Sequence, residues 1–94
     1  MTAQTLISIP VIAKPVDGST VSDPVTIAGT GEPGGTVDVH QVGVAAPLVS
    51  IPVNVAGNWQ GQANLSKGTY SISARQKLNG STSAWSPVKT FTVI

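Results

Sequence analysis

Gly29-Thr30-Gly31-Glu32-Pro33-Gly34 spells G-x-G-x-x-G, the spacing of a loop that cradles a dinucleotide pyrophosphate. That chemistry needs a strand before the loop and a helix after it, because the helix N-terminus supplies free N–H groups. A strand-like Val25–Ala28 precedes the loop, but TVDVHQV follows, and it alternates like another strand. Glu32 would put a negative charge in the cradle, and Pro33 removes an N–H donor. The phosphate reading fails. Pro33 and Gly34 instead fit the two central positions of a type II turn, the second of which requires positive φ. Residues 32–35 are therefore expected to reverse the chain between two strands. Gly31, with Gly29, lets the preceding strand bend or bulge at its end.

The other reactive side chains are sparse. His40 is the one histidine, two residues after Asp38 on the same face of its strand. A Ser-His-Asp site also needs a held nucleophile and an oxyanion hole, and no G-x-S-x-G elbow occurs. One histidine is too few for an imidazole metal site. The acids are Asp17, Asp23, Glu32 and Asp38. Three of them stand in turn-like contexts where short acids cap backbone groups, not as the paired carboxyls of a glycosidase. With no cysteine, disulfides, thiolate zinc and thiol catalysis are all absent. The expectation is a protein that is not an enzyme, with no catalytic residue, no cofactor and no metal.

The aromatic residues leave more room. Trp59 follows a Gly57-Asn58 turn and reads as core or cap. Trp85 lies in the polar stretch STSAWSP and is expected to be partly exposed. Beside Asn79, Ser81 and Gln76 it forms a candidate ligand-binding group. An indole face stacks on the C–H face of a sugar ring, and polar neighbours meet the hydroxyls. The N-x-[ST] matches at Asn64 and Asn79 read as chance.

The elements that must position these residues are strands. Ten glycines and seven prolines in 94 residues leave little room for a helix of normal length. Between the turn signals the apolar period is two: Val25/Ile27, Val37/Val39, Val49/Ile51/Val53/Val55, Tyr70/Ile72/Ala74 and Phe91/Val93. This is the pattern of strands with one buried face. It predicts seven strands, over 9–14, 24–30, 36–42, 48–55, 59–65, 69–78 and 84–93, in an all-β, seven-stranded antiparallel immunoglobulin-like β-sandwich. Pro52 and Pro87 cannot donate to a ladder and mark sheet edges or bulges. Asn79-Gly80 signals a hairpin between the last two strands. Residues 1–8 read as an N-terminal extension or linker, and 9–94 as the domain.

Composition narrows the partners. Charged residues are 10% of the chain, against about 25% in ordinary domains. Lys14, Lys67, Arg75, Lys77 and Lys89 are dispersed, so no basic patch exists to bind nucleic acid. Arg75 and Lys77 share one strand face. No run of about 18 apolar residues spans a membrane. Leu6–Ala13 lacks a basic n-region and contains Pro10, so it is not read as a signal segment. Met1 reads as a start placed on a domain excised from a longer chain.

Several pieces in order resemble bacterial immunoglobulin-like domains: Pro15-Val16-Asp17-Gly18, Ile27 to Gly34 with Val37, Gly57-Asn58-Trp59, Gly68 to Ala74, and Phe91-Thr92-Val93. The resemblance covers about residues 11 to 94. It implies a structural or spacer module of a surface adhesin or exported multidomain protein, outside the cell. It implies neighbouring domains as partners, with a glycan or a host or cell-surface protein as the alternative, reached through the Trp85 region or an edge strand. The calcium-binding linkers of many such domains are not expected, because the aspartates here do not cluster as D-x-D. Leu65-Ser66-Lys67-Gly68-Thr69-Tyr70 is read as a tyrosine corner, with the phenol bonding back to the main chain a few residues upstream.

Overall fold

The computed structural model describes residues 7–94, and every regular element among them is a strand. In chain order these are β1 (Val11–Lys14), β2 (Thr20–Val21), β3 (Val25–Thr30), β4 (Thr36–Gln41), β5 (Val49–Pro52), β6 (Asn58–Ala63), β7 (Gly68–Leu78), β8 (Ser81–Thr82) and β9 (Lys89–Val93). Two sheets pack face to face. One has the order β1-β3-β6, and the other β2-β9-β7-β4-β5, with β8 paired to the end of β7.

The alternating residues form the core, as a pleat with one buried face requires. Val25, Ile27, Val37, Val39, Ile72, Ala74, Phe91 and Val93 are all buried, joined by Ile12, Ile51, Val53, Ala63 and Trp59. Val55 is a correction. It is 96% exposed, because β5 ends at Pro52 and Asn54 closes a tight turn with its own side chain. Asn54 Oδ1 accepts the amides of Ala56 and Asn58, each at 3.0 Å, which throws Val55 to the tip.

The expectation of seven antiparallel strands is also corrected: among the described residues there are nine, and the pairing is mixed. β2 runs parallel to β9, with Thr20 opposite Thr92 and Val21 opposite Val93. The chain leaves β1, turns at Asp17-Gly18 and crosses to the other sheet. There Gly18 donates to the Thr90 carbonyl, Thr92 to that of Ser19 and Ile94 to that of Val21. Two residues carry no readable period, and their partner lies some seventy positions away, so the crossing leaves no local signal.

The segment expected as one strand over 84–93 is strand only from Lys89, as β9, and an irregular stretch over 83–88 separates it from the short β8. Along that stretch serine hydroxyls replace the ladder. Ser83 and Ser86 accept the Gln76 and Ala74 amides through Oγ, each at 2.9 Å, and return their own amides to the carbonyls of the same residues. Pro87, which has no N–H, follows directly.

The GTGEPG stretch is a reversal between β3 and β4. The Gly35 amide donates to the Glu32 carbonyl at 3.0 Å, and Gly34 has φ +85° with Pro33 before it, the geometry of a type II turn. Gly31 donates to the carbonyl of Gly57 at 2.9 Å, tying this turn to the β5–β6 turn. Asn79 and Gly80 both have positive φ, 51° and 80°, the signature of a two-residue hairpin of type I′.

These turns gather at one pole with Ser8. The opposite pole holds Asp23, the β6–β7 connection and Ile94. There Asp23 accepts the Leu65 amide at 2.7 Å, and Gly68 stands opposite Val93. Tyr70 Oη donates to the Ser66 carbonyl at 2.7 Å, and its ring stacks on Phe91 with centroids 5.8 Å apart. The chain enters at one pole and leaves at the other. The eleven-residue β7 runs from pole to pole, about 33 Å at the usual strand rise.

Candidate functional site

The outer face of the larger sheet carries most of the side chains with functional chemistry. β4 points Val37 and Val39 inward, so Asp38 and His40 face out. β7 points Ile72, Ala74 and Gln76 inward, so Ser73, Arg75 and Lys77 face out. The register sets Asp38 opposite Arg75 and His40 opposite Ser73. Asp38 with His40, and Arg75 with Lys77, were within reach of sequence reasoning, each pair on its own strand. Which strand lies beside which was not.

Asp38 and His40 do not work together. Asp38 accepts a hydrogen bond from Ser50 Oγ at 2.7 Å and pairs with Lys77 Nζ at 3.4 Å. His40 Nδ1 lies 3.1 Å from the carbonyl oxygen of Val44, and its ring meets Trp85 edge to face at 5.0 Å. The histidine therefore ties the β4–β5 connection down to the sheet. Among the described residues no group of three or more His, Cys, Asp or Glu is placed to hold a metal ion.

Trp85 is 45% exposed and lies across the outer face. The Arg75 guanidinium sits over its ring, 4.6 Å from the centroid. A hollow of about 490 Å³ opens beside it. Trp85 and Val88 form one wall, Val42 and Val44 the other, and His40 and Ser73 the floor. The three valines are each about half exposed. Three polar atoms of the hollow are already engaged. Ser73 Oγ donates to the Ser86 carbonyl at 2.6 Å, Ser86 Oγ takes the Ala74 amide, and His40 Nδ1 holds Val44.

The other residues grouped with Trp85 in the sequence lie elsewhere. Gln76 is fully buried on the opposite face of β7, so it cannot meet a ligand at the surface. Its Oε1 accepts the Glu32 amide at 2.9 Å, and its Nε2 donates to the Ser8 carbonyl. Asn79 and Ser81 sit at the β7–β8 hairpin, about 13 Å along the strand from Arg75. Trp59 is buried and donates its Nε1–H to the Thr30 carbonyl at 2.8 Å.

The fold is that of a fibronectin(III)-like β-sandwich. Over 92% of its length this chain superposes on the fibronectin(III)-like modules of Clostridium thermocellum CbhA, with a TM-score of 0.68 and 20% sequence identity. It spans 46% of that chain. No family model matches the sequence. No curated protein matches it either.

Proposed function

We propose that the chain is a non-catalytic spacer module of a larger bacterial surface or secreted protein, with neighbouring domains as its main partners. The observation that carries this reading is the polar arrangement of its ends: Ser8 lies against Glu32 at one pole, and Ile94 leaves beside Val21 at the other. A module threaded in this way adds its full length to a chain of domains. The compact two-sheet core supplies the stiffness. The likeness to the CbhA modules and the absence of an assembled reactive site among the described residues support it. On this reading residues 1–8, of which 1–6 lie outside the described residues, are an extension or linker and 9–94 the domain. Ser8, bonded to Gln76, is already held against the body, and Pro10 is buried in it. Small-angle scattering of one, two and three copies joined in series tests the proposal. The maximum dimension is expected to grow by about 30 Å or more per copy. A tandem that folds back on itself would contradict it.

A second reading, a binding module acting through Trp85, is supported by that ring's exposure beside a hollow. A glycan needs free hydrogen-bonding partners around the stacking ring, and Ser73 Oγ, Ser86 Oγ and His40 Nδ1 are already bonded within the protein. The observations favour a protein partner over a sugar.

A further inference from the structure

The outer face of the larger sheet has an unbalanced charge beside an apolar hollow. Asp38 is the only acid on that face and is taken by Ser50 and Lys77. It makes the sole ion pair among the described residues. Arg75, directly opposite Asp38 in the register, is left with the Trp85 ring. Its Nε is buried and has no hydrogen-bond partner. A guanidinium is a planar fork suited to a carboxylate. Here one is stacked on Trp85, which itself lines a hollow with Val88, Val42 and Val44. A ring already stacked against a cation, with valines around it, suits an apolar side chain carried next to an acid.

We propose that this hollow is a docking site for an extended segment of a partner protein, in which a leucine-like side chain enters between Trp85 and Val44 and an adjacent carboxylate meets Arg75. This deepens the second reading above and is independent of the spacer reading, which rests on the poles. The site lies on the flank, so it stays accessible in a chain of modules joined end to end.

The test titrates the isotope-labelled chain with short blocked peptides centred on Glu-Leu, Gln-Leu or Glu-Ala, followed by NMR, with a neutral oligosaccharide as a fourth probe. The Glu-Leu peptide is expected to shift the Trp85 indole N–H and the Val44 and Val88 amides saturably. Replacing its Glu by Gln, introducing Arg75→Gln, or raising salt to about 0.3 M should each weaken binding by roughly tenfold. Replacing its Leu by Ala, or introducing Val88→Lys, should abolish the shifts. The buried Trp59 indole resonance verifies that each variant is folded, and the peptide substitutions test the same contacts in the unaltered protein. Equal affinity with and without Arg75, shifts confined to another face, or no peptide binding would overturn the proposal. So would an oligosaccharide that moves the Trp85 resonance while the peptides do not.

Discussion

Gln76 reaches back 44 residues to accept the Glu32 amide at 2.9 Å, and through its Nε2 it also holds the Ser8 carbonyl. One buried amide thus joins the entering chain, the β3–β4 turn and the longest strand. A buried polar group is tolerated when each of its bonds is made, and removing it strands its partners. Gln76→Leu leaves the Glu32 amide and the Ser8 carbonyl without partners. The expected loss is about 2–3 kcal/mol in urea unfolding, with faster hydrogen exchange at Glu32. An unchanged midpoint would show that water or a shifted turn takes over both groups.

Gly29 carries a different kind of constraint. A Cβ there would fall 1.7 Å from the Val11 carbonyl oxygen and 2.7 Å from Cζ2 of Trp59. The clash is with backbone as well as a packed ring, so no side-chain rotation relieves it. Gly29→Ala should cost about 3 kcal/mol or more and loosen β1 from β3. Calorimetry checks the size, and amide exchange along Val11–Lys14 checks the place.

The Tyr70 phenol bridges to Ser66 while its ring stacks on Phe91. Tyr70→Phe keeps the stack and deletes the bond. The expected loss is about 0.5–1.5 kcal/mol, or several degrees in Tm for a domain of this size. Thermal unfolding of the two proteins side by side decides it.

Ser83 and Ser86 both take an amide of β7 through a hydroxyl, but only Ser86 is buried. Water can replace the Ser83 hydroxyl and has no path to the Ala74 amide. Ser86→Ala is therefore expected to cost about 1–3 kcal/mol, and Ser83→Ala about 1 kcal/mol or less. Chemical denaturation of the two variants gives the comparison, and equal losses would contradict the argument from burial.

Much of the fold is legible in the linear order of residues. The period-two runs put Val25, Ile27, Val37, Val39, Ile72, Phe91 and Val93 in the core, because a strand with one dry face has no other way to place them. Val55 continued such a run and still ended in solvent, since the turn closed by Asn54 outweighed the pattern. The candidate site was legible only in part. Trp85 and its exposure follow from its polar surroundings, whereas Gln76 and Trp85 are nine residues apart and face opposite sides of the sheet.

Sequence alone determined the strands β3, β4, β6 and β7, the sharp reversal at Pro33-Gly34 and the lack of any anion cradle behind it, since each depends on near neighbours and on the φ and donor limits of single residues. Tertiary structure alone decided that β2 lies parallel to β9, that Asp38 pairs with Lys77 and leaves Arg75 to Trp85, and that His40 anchors a loop. Those outcomes depend on which strands become neighbours. That choice is made by burying two sheet faces together, across separations that no local pattern records.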